Sequence, residues 1–412
     1  MNSGPKVLLS AYACEPGKGS EPGVGWRWAN GLASRVNLHV LTREDNRIAI
    51  EKAVAASDER DPIRRARFIY FDLGSTALAL KRKGWLPTAA YYVMWQLGVR
   101  RKFADLADSM DVVHHLTFCN LLCPGFWKLR KSAFVIGPVG APLVPASYLS
   151  LFGGGRFIQR IRGMILRNFH RLPWLNRLLR SAAAIVPANS DAKVLLESRG
   201  FACESPMLDT GAPEIRPRAK RDASATLRFV SAGRLERRKG LELALKAFAQ
   251  ASIEWTEWRF TIIGGGPDAP RLKSMVLELG IGDRVEFTGQ VPLERTHELL
   301  SQSDVFVFTS IRDTSGSVNL EAMANGLPIV CISHQGVGDI TDPSCALRVP
   351  PGGIEETIRN LASSILRFRD EPQLIESLGT NAALRAQSVF SWETKFDHMV
   401  PIYLKAMGAA SR

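Results

Sequence analysis

The sequence predicts an α/β protein built from two doubly wound, Rossmann-like domains. Three observations carry that expectation. Short apolar runs rich in β-branched residues alternate with longer amphipathic stretches, twice over. A segment rich in proline, alanine and charge, residues 210 to 227, has no sustained period and separates the two series. The length of 412 residues, 46% of them hydrophobic, suits two ordinary domains better than one core.

In the first series KVLLSAY (6 to 12) reads as a buried parallel strand, followed by a glycine-rich loop and a helix at WRWANGLASR (26 to 35). Strands follow at 37 to 43, 67 to 71, 111 to 116, 133 to 138 and 183 to 190, with helical patterns between several of them. The second series runs strand 228 to 233, helix LELALKAFAQ, strand 258 to 264, helix APRLKSMVLELG, strand 284 to 289, helix LERTHELLSQS, strand 304 to 310, helix SVNLEAMANG and strand 328 to 333. Right-handed crossovers put all the carboxyl ends of such strands on one edge, where loops meet ligand.

Composition excludes several classes. The six cysteines are scattered and none is paired as C-x-x-C, so neither a zinc site nor a disulfide framework is signalled, and a reducing, cytoplasmic setting fits. The N-terminal apolar run passes into Gly, Pro and Glu and is too short for a signal peptide or a spanning helix. A formal charge of +13 favours anionic partners. Residues 155 to 181 carry seven arginines without one acid, interleaved with large apolar residues and broken at Pro173. That stretch reads either as a basic amphipathic helix pair for an anionic membrane surface or as an ordinary helix pair facing its own domain. No aromatic-basic interleaving or finger spacing supports nucleic acid.

Anion binding dominates the second half. Arg234 and Lys239 follow a strand exit and precede a helix, where phosphate meets cations and helix amides; a solvated basic turn is the alternative. The glycines of IIGGGP let backbone approach a ligand closely, but the run is not a dinucleotide fingerprint. In TSIRDTSGSVNLEAMANG, a helix starting near Ser317 or Val318 would turn its first amides, with Gly316 and Ser317, toward a diphosphate. Glu321 in its first turn can accept from two vicinal ribose hydroxyls and Asp313 from another polyol portion of the ligand. Read alone, without the surrounding pattern, Glu321 is better taken as a favourable first-turn charge and Asp313 as a loop residue.

The motifs SAGRLERRKG, IIGGGP, RVEFTGQVP, DVFVFTS, D-x7-E and GLPIVCISHQGVGDI occur in one order across residues 228 to 340. They resemble the nucleotide-sugar half of glycosyltransferase family 4, retaining enzymes of the GT-B fold in which two Rossmann-like domains face a central cleft. The resemblance implies that Arg234 and Lys239 contact the donor diphosphate, that the backbone of Gly289, Gln290 and Val291 meets the base, and that Glu321 holds the ribose. Gly316, Ser317 and Val318 would lie by phosphate and transferred sugar. Asp313 stands where the family usually has Glu, one methylene longer. In the first half, SEPGVGW offers Gly23 and Gly25 as the family's glycine loop. DVVHHLTF resembles its strand-end histidine motif, with His115 assigned the sugar-facing role and His114 close behind; a buried strand histidine is the alternative.

The domains expected are 1 to 210 on the acceptor side and 211 to 391 on the donor side, with a helix at 392 to 412 packed back on the first. No D-x-D triplet occurs, so no metal site is assigned, no cofactor is expected, and Arg234, Lys239 and a helix N-terminus stabilise the leaving diphosphate. The family resemblance implies front-face retention without a protein nucleophile, so His115, Asp313, Arg234 and Lys239 form the catalytic set. The expected activity is transfer from a nucleotide-diphosphate sugar to a lipid-linked or polysaccharide acceptor, as in bacterial cell-envelope or exopolysaccharide synthesis. The expected location is the cytoplasm, with peripheral attachment to the inner face of the plasma membrane if 155 to 181 binds lipid. The alternatives are an epimerase or phosphorylase on the same fold, or a silent sugar-nucleotide binding module.

Overall fold

A computed structural model describes residues 4–84, 87–215 and 226–410; residues 216–225, most of the expected linker, lie outside the described residues. The chain divides into two units.

The first unit holds β1 (Lys6–Ser10), β2 (Asn37–Thr42), β3 (Arg67–Tyr70), β4 (Val112–His115), β5 (Ala133–Val139) and β6 (Ala184–Pro187). Their order is β3-β2-β1-β4-β5-β6, every pairing parallel. Between them in the chain run α1 (Ser20–Ala33), α2 (Arg47–Ala56), α3 (Ser75–Arg82), α4 (Thr88–Lys102), α5 (Ala104–Asp108), α6 (Arg156–Arg167), α7 (Pro173–Arg180) and α8 (Ser190–Glu197), of which α6 as far as Ile165 groups with the second unit. Strands β4, β5 and β6 are buried along their whole length, as a parallel sheet covered on both faces requires.

The second unit repeats the plan with β7 (Leu227–Ala232), β8 (Trp258–Ile263), β9 (Val285–Gly289), β10 (Val305–Phe308), β11 (Ile329–Ile332) and β12 (Ala346–Val349), in the order β12-β11-β10-β7-β8-β9 and again parallel. Its helices are α9 (Leu241–Ala251), α10 (Ala269–Glu278), α11 (Leu293–Ser301), α12 (Val318–Ala324), α13 (Gln335–Ile340), α14 (Ile354–Asp370) and α15 (Gln373–Phe390), and α16 (Trp392–Ala410) follows. A ring cluster of Phe229, Phe248, Trp258, Phe260 and Phe368 centres its core. In each sheet the chain reverses direction of growth beside the first strand of the unit, between β1 and β4 and between β7 and β10, which is where open parallel sheets bind ligand.

The division of the chain differs from the sequence expectation in one segment. Residues 142–165 group with 211–394, whereas 166–210 and 395–412 group with 1–141. Val144, Tyr148 and Leu151 are buried in the second core, and the Tyr148 hydroxyl meets Thr357 Oγ1 at 2.8 Å. An excursion of three apolar side chains has no period, so nothing in the local pattern announces it. At the other end, α16 contributes Phe396 and Tyr403 to the first unit: a Cβ on Gly31 would lie 1.8 Å from the Phe396 ring, so glycine on α1 leaves room for that aromatic.

Candidate active site

The loop leaving β7 and the loop leaving β10 are tied together at the switch point of the second sheet. Ile311 N–H donates to Arg238 O at 2.9 Å, Ser310 Oγ to Arg238 O at 3.1 Å and Thr309 Oγ1 to Lys239 O at 3.3 Å. Gly240, with φ of 60°, makes this approach possible, since a Cβ there would lie 2.3 Å from Thr309 O.

The tie brings two expected residues, Lys239 and Asp313, together with Arg238. Lys239 Nζ lies 2.5 Å from Asp313 Oδ2, and Arg238 Nη1 reaches the same oxygen at 3.5 Å. Burial by itself would raise the Asp313 pKa; Lys239, Arg238 and the Thr314 N–H outweigh it and hold the carboxyl below its usual range. Gln335, at φ of 52°, accepts from Asp313 N–H at 2.6 Å and fixes the backbone of the acid. Arg234 is exposed and pairs with Glu236 at 2.7 Å. Arg234 and Lys239 line a narrow pocket with Gly233, Leu235, Ile263, Phe308 and Thr309.

Gly316 adopts φ of 63°, and Ser317 is exposed as α12 begins at Val318. The first bonds of that turn are Asn319 N–H to Gly316 O and Leu320 N–H to Ser317 O, each at 2.9 Å, so the amides ahead of Asn319 are not consumed by the helix. Glu321 lies in the first turn, half-buried. Gly289 closes β9 with φ of 69°, Gln290 is exposed and Val291 half-buried. The glycines of IIGGGP serve a different purpose from the one expected. Cβ atoms on Gly264 and Gly266 would lie 2.1 Å from Gly233 O and 2.3 Å from Leu235 O. Two of the three therefore let one loop of the chain approach another.

Gly23 and Gly25 require a correction: they lie inside α1, which starts at Ser20, and form no loop. Both are required for packing. A Cβ on Gly23 would lie 2.0 Å from Lys18 O, and one on Gly25 would lie 2.0 Å from Ala13 O.

The histidines end β4 and are both fully buried. His114 is occupied at both nitrogens, facing Gly137 O at 2.5 Å through Nε2 and the Tyr403 hydroxyl at 2.7 Å through Nδ1. His115 Nε2 meets the Tyr92 hydroxyl at 2.9 Å, while its buried Nδ1 has no partner. Burial lowers the pKa of His114 to about 4 and that of His115 to about 3, so both rings are neutral at physiological pH. Phe118, at φ of 55° and one-third exposed, packs on the Tyr92 ring above this pair. A sugar contact by His115 therefore requires movement of the residues that cover it.

Sequence reasoning left Arg238, Ser310 and Gln335 without a role. Arg238 stood in a basic run that also reads as a solvated turn, and Gln335 acts from a helix start 22 residues after Asp313, a distance at which spacing carries no signal.

Residues 215–384 match the model of a family described as Glycosyl transferases group 1. A Salmonella typhimurium protein named as a colanic acid biosynthesis glycosyltransferase, WcaL, is 24% identical over 286 residues, 62% of this chain and 70% of that protein. Among solved structures, sucrose-phosphate synthase of Thermosynechococcus elongatus superposes with a TM-score of 0.62 at 19% identity, covering 98% of this chain and 99% of that one. Anabaena HepE, solved in complex with UDP, gives 0.60 at 15% identity over 96% and 98%. At such identities the superpositions show the fold, which is GT-B. The sequence match and the named relative support a glycosyltransferase.

Proposed function

We propose that this chain transfers a sugar from a nucleoside-diphosphate donor to a glycan or lipid-linked acceptor of the cell envelope, with retention at the anomeric carbon. One observation carries the reading: Arg234 and Lys239 on the β7 loop line a pocket at a switch point whose other wall, Phe308 and Thr309, leads into the loop of Asp313 ahead of α12. The UDP complex of HepE and the colanic acid assignment of WcaL support the donor and acceptor classes.

In this reading the donor diphosphate lies against Lys239, Arg234 and the amides at the start of α12. Lys239 is engaged by Asp313, so phosphate oxygens compete for the ammonium, and Asp313 is released to accept from a sugar hydroxyl. Charge grows on the departing diphosphate in the transition state, and positioned cations stabilise it there more than in the ground state. Glu321 holds the ribose, and the backbone of Gly289, Gln290 and Val291 meets the base. No metal or cofactor enters the scheme. His115 joins it only if the residues covering its ring move aside.

The acceptor is membrane-borne. Phe157, Ile158, Met164 and Ile165 are exposed among the arginines of α6, which fits an anionic lipid surface. No helix among the described residues is long and apolar enough to cross a membrane.

The test is nucleotide release from a panel of UDP-, GDP- and ADP-sugars, with and without cell-envelope acceptors. Release that depends on acceptor is expected. Conversion of the donor without acceptor identifies an epimerase, and binding without turnover a silent module; either result overturns the transferase.

A further inference from the structure

Beside the donor pocket stands a group of arginines that the proposed reaction does not use. Arg312 is half-buried, donates from Nη1 to Gln159 Oε1 at 2.6 Å and lies 6.0 Å from the centre of the Phe152 ring. Arg162, one turn along α6 from Gln159, is half-buried too. Neither has a carboxylate within ion-pair distance among the described residues, although Arg312 precedes Asp313 in sequence. Arg238 completes the group but is engaged, at 2.7 Å by Glu236 and at 3.5 Å by Asp313. Neither Arg162 nor Arg312 lines the pocket of Arg234 and Lys239.

This arrangement costs free energy. Burial and the facing charges of Arg162 and Arg238 push the Arg312 pKa down to about 10, outweighing the weaker attraction of Glu236 and Asp313, and burial with Arg238 lowers that of Arg162. Arginine ordinarily stays charged under such pressure, so the repulsion is borne by the fold. A chain that needed only packing there would gain by an apolar or amide side chain. Gln159 holds the Arg312 guanidinium in place without neutralising it, which leaves its remaining N–H donors in a planar fork suited to an oxyanion.

We propose that Arg162 and Arg312, backed by Arg238, form a second anion subsite that takes a carboxylate or phosphate carried by the sugar substrates, separate from the donor diphosphate. The identity of that substrate rests on the transferase reading; the anion site does not. An acidic transferred sugar and an acidic or phosphorylated acceptor offer the same chemistry, and the experiment separates them.

Calorimetry on the full chain first establishes which of UDP, GDP and ADP binds. The chain saturated with that nucleotide is then titrated with inorganic phosphate, methyl glucuronide and methyl glucoside. Phosphate or the glucuronide is expected to bind and the neutral glucoside not. Arg162→Gln and Arg312→Gln are each expected to weaken that binding about tenfold or more, with nucleotide affinity nearly unchanged. Arg312→Lys, which keeps charge but loses the fork, should fall between. A preference for the nucleotide-linked glucuronic acid over the glucose form that vanishes in Arg312→Gln puts the acid on the donor. A loss confined to the free anions puts it on the acceptor.

Anion affinity equal in wild type and both variants, or absent in wild type, overturns the proposal. So does an anion that competes with nucleotide, since the arginines would then belong to the diphosphate site. Melting temperatures of both glutamine variants should equal or exceed that of wild type, because a repulsion is removed; a fall of several degrees would make the arginines structural. Failure of every nucleotide to bind sinks the transferase reading instead, and the same titration without nucleotide still tests the arginines.

Discussion

Lys239 and Asp313 neutralise each other across two loops, and that pairing shapes what substitutions there do. Loss of Arg234 and Lys239 together is expected to lower turnover at least tenfold while leaving the melting temperature within a few degrees, since in the proposed reaction both meet charge that grows in the transition state. Chelation with EDTA should leave the rate unchanged; activity that vanishes with EDTA and returns with a divalent ion would show that a metal, and not these cations, stabilises the leaving group. Glu321→Ala is expected to abolish measurable donor binding in calorimetry and Glu321→Gln to weaken it less, because the amide keeps one acceptor oxygen. Equal donor affinity in wild type and Glu321→Ala would remove the ribose assignment. The two buried histidines set a pH dependence. Their folded pKa values, about 4 and about 3, lie below the unfolded value, so the unfolded chain takes up protons first as pH falls. Their contribution is complete above about pH 6.5 and erodes below it, by roughly 2 kcal/mol per histidine between pH 6.5 and 5. Denaturant unfolding across that range checks it: His115→Gln should reduce the slope, and a stability that is flat from pH 7 to 5 would contradict neutral buried rings.

Among the elements, α6 and α7 each expose a mixture of arginine and large apolar side chains. Large apolar side chains face solvent between arginines, with no acid in either helix. Each arginine near anionic lipid contributes about 1 kcal/mol, so the pair should bind vesicles and release in salt. In sedimentation the chain should pellet with anionic and not with neutral liposomes, and Arg160, Arg167 and Arg171 changed to Glu should abolish pelleting while donor binding persists. Indifference to anionic vesicles at low salt would remove the lipid contact and favour a soluble acceptor. Element α1 carries a different lesson. Gly23 and Gly25 resemble a ligand loop in sequence, yet the glycines are there because two carbonyls of the preceding loop press on the helix. Glycine marks a close approach, and the local sequence does not say whether ligand or chain approaches.

Over the whole molecule, each unit is assembled from separated stretches. The first takes residues 395–410 into its core, where Tyr403 caps His114 and the buried Lys395 Nζ donates to Leu208 O at 2.5 Å. Removing residues from 395 onward is expected to destabilise the first unit by more than about 5 kcal/mol, since it strips Phe396, Met399, Tyr403 and Ala406 from a packed interior. Nucleotide binding, which this reading assigns to the second unit, should survive. Calorimetric unfolding with and without nucleotide distinguishes the outcomes, and an unaltered transition in the truncated chain would contradict the assignment of α16 to the first core.

What the sequence determined by itself was local: the alternation that makes two parallel sheets, the exits of β7 and β10 as the places for charge, and the positions of Arg234, Lys239, Asp313 and Glu321 on those exits. Apolar period, glycine and strand-end polarity are encoded within a few residues of each other, so they survive reading one stretch at a time. Tertiary structure decided which groups meet. It joined Lys239 to Asp313 across 74 residues, tied Asp313 to Gln335, enclosed both histidines, carried 142–165 into the second core and set Arg312 beside Arg162 with no carboxylate within ion-pair distance of either among the described residues. Those pairings depend on loop paths and on the burial they produce, and burial decides whether a charge is solvated, paired or left to repel its neighbour.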